Sequence, residues 1–210
     1  MVSSNKRERR RPDHYTDKAK KAGFAARSVF KLEELDRRHR ILAPGMSVLD
    51  LGCAPGSWTQ YAARAVGKSG SVVGIDITPM TAPASNAMIL TMSIFDAQGE
   101  LARIAEAGFN VVLSDMAPST TGISDVDEAR SLELARAAMA AAEAHLRAGG
   151  DFLCKVFQGG DTKKWLDEIR RSFKSVDLVR PDAVRRDSRE IYVLARGFKL
   201  FVDVRRVSPD

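Results

Sequence analysis

The chain of 210 residues is 44% hydrophobic, enough for one substantial core, and its 33 Lys and Arg against 27 Asp and Glu give a formal charge of +6. Cys53 and Cys154 lie in apolar segments, and His14, His39 and His145 share no ligand spacing with them, so neither a disulfide framework nor a metal centre is expected. No apolar run approaches the roughly 18 residues of a membrane span and the amino end is polar, which points to a soluble protein of a reducing cytoplasm, with no membrane partner and a monomer as the starting point.

The positive excess sits at the amino end. Residues 1–40 hold 13 basic and 6 acidic side chains, or +7, and the remaining 170 hold 20 against 21, or −1. Lys6, Arg7, Arg9, Arg10 and Arg11 begin this run, and Lys18, Lys20, Lys21 and Arg27 continue it. Such clusters attract polyanions, phosphate backbones above all; a solvated tail is the other reading of the same charges. Residues 1–26 are thus expected as a basic, flexible RNA-binding arm, ahead of one domain over 27–210.

Val29, Phe30, Leu32 and Leu35 make an apolar stripe that predicts a helix over 27–40, with Ser28 as its cap. After Pro44-Gly45, strands are expected at 47–51, 71–75, 88–92, 111–114, 151–157, 176–179 and 191–195, separated by helices at 58–66, 101–107, 126–147 and 162–173. The longest helix is expected to bury Leu132, Leu134, Ala138, Met139, Ala142 and Leu146 and to end at Gly149-Gly150. This alternation argues for an α/β fold, a mostly parallel sheet with helices on both faces. Only a polar loop separates 179 from 191, too short for a parallel crossover, so the last two strands should be antiparallel, and the alternating tail over 198–207 suits an edge strand.

The segment VLDLGCAPGSW puts Gly52 and Gly56 just beyond the first strand. Ligands of open α/β sheets bind at strand carboxyl ends near the reversal of strand order, where Gly52 would allow a tight turn and Gly56 a close approach. The spacing is G-x-x-x-G with a proline inside, unlike the G-x-G-x-x-G of dinucleotide binding, so a nucleoside without a pyrophosphate fits better; the same glycines can serve packing alone. Asp76, about 20 residues on, ends the second strand, where it can hold both ribose hydroxyls of a nucleoside or cap the next turn. Gly67-Lys68-Ser69 imitates the end of a P-loop, but Ala62 stands where that motif needs glycine. Asp115 ends the fourth strand, and Lys155 lies among apolar residues of the fifth. An amine there is tunable: desolvation and a second cation would favour its neutral form, Asp115 or Glu190 its charged one; a snorkelling strand-end lysine is the plainer alternative.

The segments FKLEELD, DLGCAPGSWTQY, SDMAPSTTG, CKVFQGG and SREIYVLA, in that order and spacing, closely resemble the FtsJ family of ribosomal RNA 2′-O-ribose methyltransferases, over 27–197. The resemblance implies a Rossmann-like fold, S-adenosylmethionine as cofactor, and a Lys-Asp-Lys-Glu tetrad falling on Lys31, Asp115, Lys155 and Glu190. It assigns Gly52, Gly56, Trp58, Asp76 and Asp115 to the cofactor, with Asp115 toward the methionyl end. Where the family carries an Asp against the adenine, this chain has Ser93, with Asp96 three residues later. The implied partner is the large ribosomal subunit, methylated at a uridine of the ribosomal RNA A-loop. Lys155 would be the main catalytic amine, Asp115 its holder, and Lys31 and Glu190 the groups that position the ribose, with Arg185, Arg186 and Arg189 carrying basic character to the site's edge. Two rivals are a small-molecule methyltransferase of the same fold and a non-enzymatic RNA-binding or assembly protein.

Overall fold

The sheet is built in two movements around β1 (Ser47–Leu51): β2 (Ser71–Asp76) and β3 (Ala87–Thr91) step outward on one side, and β4 (Phe109–Ser114) and β5 (Leu146–Phe157) on the other. This computed structural model describes residues 14–184 and 188–200. The strand order is β3-β2-β1-β4-β5-β7-β6, with β6 (Phe173–Val179) and β7 (Glu190–Phe198) completing seven strands. β1 to β5 pair in parallel, and β7 runs antiparallel to both β5 and β6. The fold is the Rossmann-like arrangement, and the strand order reverses between β1 and β4, which opens a crevice at their carboxyl ends.

Near-continuous apolar strands such as Val48–Leu51 demand cover on both faces. Helices α2 (Val29–His39) and α3 (Ser57–Val66) bring Leu32, Leu35, Trp58 and Ala62 onto the face that carries Leu153, Tyr192 and Leu194. Helices α4 (Gln98–Ile104), α5 (Ser124–His145) and α6 (Thr162–Ser172) cover the opposite face, where Phe152, Cys154 and Val156 meet Ala138, Met139, Trp165 and Ile169. The period of two along β5 therefore sends Lys155 to the α2 side, with Leu153.

Several expectations need correction. Ser28 occupies the cap position of α2 but makes no capping bond; its hydroxyl pairs with Ser57 Oγ at 2.8 Å. The long helix ends at His145, and Gly149 and Gly150 lie inside β5, where the β4–β5 register shifts between Phe109↔Leu146 and Val111↔Asp151. Its buried stripe is Ala135, Ala138, Met139 and Ala142, so Leu132 and Leu134 turn out to be only partly covered. Part of the expected arm is a helix, α1 (His14–Lys21): Ala19 is 1% exposed and packs with Val29 and Phe30, and Lys18 Nζ lies 4.7 Å from the Phe30 ring centre. The Lys6 to Arg11 cluster, Arg185, Arg186 and the tail from 201 on lie outside the described residues.

Candidate active site

Gly52 turns the chain out of β1 at φ 76°, and its amide donates to Ile75 O of β2 at 2.8 Å. A Cβ here would stand 2.6 Å from Met116 Cγ and 3.0 Å from Met116 Cα, so the loops after β1 and β4 touch and any side chain would wedge them apart. Beside this contact opens a cleft of about 470 Å³, lined by Gly52, Asp76, Met92, Ser93, Asp115 and Leu134 among others. Its size suits a nucleoside-bearing ligand. Asp76 lies along it with Oδ2 accepting from Ala54 N at 3.0 Å and Oδ1 from Thr78 N at 2.8 Å. Turn capping and a place along the cleft thus coincide in one residue. Ser93 also lines the cleft while its Oγ accepts from Phe95 N at 3.3 Å; Asp96 does not line it.

Two residues expected at the cofactor are not among the cleft lining. Gly56, at φ 105°, faces Met80, whose Cε would lie 2.6 Å from an added Cβ. The Trp58 side chain is 2% exposed, donates from Nε1 to Ser28 O at 2.9 Å and stacks on Tyr192 with centres 5.9 Å apart. An indole is drawn into the core because that is where its apolar area and its one donor are both satisfied. A ligand contact from Trp58 would therefore come from its main chain.

Lys31, Asp115, Lys155 and Glu190 converge at the carboxyl edge of β4 and β5. Lys155 is 6% exposed; its Nζ donates to Asp115 O at 2.5 Å and to Asp115 Oδ1 at 2.9 Å. Lys31 Nζ, in the first turn of α2, binds Glu190 Oε1 at 2.5 Å. Between the two pairs stands Tyr192, fully buried, its hydroxyl 2.8 Å from Asp115 Oδ1 and 2.8 Å from Glu190 Oε1. Burial, with Asp115 and Glu190 beside it, raises the phenol well above its ordinary range, so it stays a donor. Sequence reasoning missed Tyr192. Its signal was the period of two that puts Glu190 and Tyr192 on one face. Burial pushes the thiols of Cys53 and Cys154 up to about 12, so neither offers a thiolate near neutral pH. Arg189, expected to face RNA, is bound to Glu128 and to Ser124 Oγ of α5.

Asp50 was also missed. It is fully buried in β1, accepts from Thr59 Oγ1 at 2.6 Å, and its Oδ1 has no partner among the described residues. Burial raises its carboxyl from 3.8 to about 7; the Thr59 bond opposes this, and Asp115 and Asp76 add to it. A carboxyl raised in the fold contributes stability at pH below its unfolded value and loses it as pH climbs to about 7, on the order of 4 kcal/mol in full. Asp50→Asn, which cannot ionise, is expected to gain about 5 °C or more in Tm relative to the parent between pH 5 and 8 in cofactor-free protein. Parallel Tm curves would show that Asp50 does not titrate there.

A family model described as FtsJ-like methyltransferase matches residues 24–198. The ribosomal RNA large subunit methyltransferase E of Desulfatibacillum aliphaticivorans is 50% identical over 183 residues, covering 87% of this chain and 88% of that protein. Its namesake in Bdellovibrio bacteriovorus is 45% identical over 191 residues, covering 89% and 97%. Among solved structures, a ribosomal RNA methyltransferase of Plasmodium falciparum superposes with a TM-score of 0.73 at 27% identity, covering 83% of this chain and 98% of that one. A Streptococcus mutans methyltransferase solved with SAH shares the fold, with a TM-score of 0.51 at 14% identity over 76% of this chain and 90% of that one. With most of its length matched by the family model and by relatives of this identity, the chain belongs to the FtsJ-like methyltransferase family.

Proposed function

We propose that the protein transfers a methyl group from S-adenosylmethionine to a ribose 2′-hydroxyl of large-subunit ribosomal RNA, at a uridine of the A-loop on the assembled subunit. The observation that carries this reading is the meeting of two lysine–carboxylate pairs, Lys155–Asp115 and Lys31–Glu190, at one end of a nucleoside-sized cleft. The names of the relatives support ribosomal RNA of the large subunit, and the family resemblance supports the 2′-hydroxyl and the A-loop.

The residues of the cleft fit the cofactor. Asp76 offers a carboxylate to a ribose, Ser93 a hydroxyl near the base, and Met116 and Leu134 apolar walls. When bound, S-adenosylmethionine supplies an electrophilic methyl. The chain's own work is to align a weakly acidic hydroxyl behind that methyl and to assist loss of its proton. Lys155 orients the hydroxyl and either takes its proton or stabilises the developing alkoxide. Asp115 fixes the amine through two contacts, side chain and main chain. Lys31 and Glu190 hold the ribose from the α2 side and balance the charge.

Basic side chains at the amino end are proposed to lie along the RNA backbone, where such contacts position without reading sequence. Because α1 packs on α2, the clean truncation stops before it: removal of residues 1–13, which hold Lys6, Arg7, Arg9, Arg10 and Arg11, is expected to weaken RNA binding and flatten its salt dependence. An unchanged slope of log K against log salt would mean these charges do not touch RNA.

The test of the reading is transfer of labelled methyl from S-adenosylmethionine to large subunits, to naked ribosomal RNA and to catechols. Labelled 2′-O-methyluridine from the large subunit is the expected product. Label on a small molecule alone favours the first rival, and failure to bind S-adenosylmethionine the second.

A further inference from the structure

The hydroxyl of Tyr192 joins two charged pairs that would otherwise be independent. Register opposes Lys155 of β5 to Tyr192 of β7, so both side chains leave the sheet on the same face. Each carboxylate oxygen that the hydroxyl meets also accepts from a lysine: Asp115 Oδ1 takes Lys155 at 2.9 Å, and Glu190 Oε1 takes Lys31 at 2.5 Å. A phenol has one proton to donate, so it is shared between two anions 2.8 Å away on either side. The ring is clamped as well, stacked on Trp58 and facing Lys31 Nζ at 6.0 Å. Lys31 from α2, Asp115 after β4, Lys155 from β5 and Glu190 from β7 are the charged groups around it, and among the described residues no direct bond joins one pair to the other.

We propose that Tyr192 is a positioning residue whose hydroxyl fixes the two pairs to each other, so that Lys155 and Lys31 address one ribose as a unit with a shared charge distribution. It touches neither methyl nor ribose; it acts through Asp115 and Glu190. This rests on the methyl-transfer reading above.

The two claims separate experimentally. If the parent protein methylates no RNA, the functional reading fails irrespective of Tyr192. Given an active parent, Tyr192→Phe keeps the ring and its stacking on Trp58 and removes only the bridge. The expected result is a fall in kcat of about tenfold or more, with KM for RNA and Kd for S-adenosylmethionine within about twofold. An unaltered kcat, or a fall in kcat matched by a comparable rise in KM for RNA or in Kd for S-adenosylmethionine, overturns the proposal.

A cofactor-free readout covers the case in which the variant folds poorly. In otherwise native protein labelled with 3-fluorotyrosine, the fluorine resonances of Tyr15, Tyr61 and Tyr192 can be followed as Asp115→Asn and Glu190→Gln are introduced singly. A hydroxyl that bridges both acids gives a Tyr192 resonance that each change displaces. A response to one substitution alone would show a hydroxyl bound to one pair, and the assembly would not exist.

Discussion

Lys155→Ala is expected to lower methyl transfer on the order of a thousandfold or more while S-adenosylmethionine binding stays within about threefold. Among the described residues the amine is the one buried Lys or Arg cation, and its two bonds to Asp115 aim it rather than merely neutralise it. It lines no part of the cleft, which is why cofactor affinity should survive its loss. Truncation leaves the partly buried Asp115 without its cation, and breaking such a pair can cost several kcal/mol of stability. Lys155→Met, which refills the volume, therefore accompanies it, and the thermal midpoint is followed beside activity. Equal loss of transfer and of calorimetric cofactor binding in both variants would refute the role given to Lys155.

Asp76→Ala is expected to act in the opposite way, raising the Kd for S-adenosylmethionine on the order of a hundredfold and leaving kcat at saturating cofactor within a few-fold. Hydrogen bonds from ribose hydroxyls to a carboxylate are worth about 1.5–3 kcal/mol each, and two are available. The same side chain anchors Ala54 N and Thr78 N, so part of the loss would come from a loosened loop after β1. Asp76→Asn separates these contributions, since an amide oxygen can still accept one of the main-chain bonds without the charge. A Kd that stays near the parent's in both variants, read by calorimetry, would remove Asp76 from the cofactor site.

The parts of the fold that depend on local pattern were legible in the sequence. Short β-branched or apolar runs located the strands, with β5 beginning at Leu146 rather than at 151, and the short polar link after 179 correctly implied that β6 and β7 run antiparallel. Gly149-Gly150 misled because a glycine pair after a helical pattern ordinarily ends a helix, whereas here it accommodates a shift of register within β5. Charge density hid α1, since the burial of Ala19 against Val29 and Phe30 is a tertiary fact that no run of lysines announces. In the site, Lys31, Asp115, Lys155 and Glu190 were read from motifs and do meet. Tyr192 was printed in the same SREIY motif and went unread, because its role appears only when β7 is set against β5 with Lys155 opposite Tyr192. Arg189 looked like a free surface cation for the corresponding reason: its partner Glu128 is 61 positions away.

The central claim, that these side chains serve a ribose hydroxyl rather than a base, is tested most directly by alkaline hydrolysis of RNA methylated by the purified protein with labelled S-adenosylmethionine. A 2′-O-methyl group removes the nucleophile that alkali needs, so the account predicts that the label emerges in alkali-stable dinucleotides. Label recovered in mononucleotides would place the methyl on a base and contradict it.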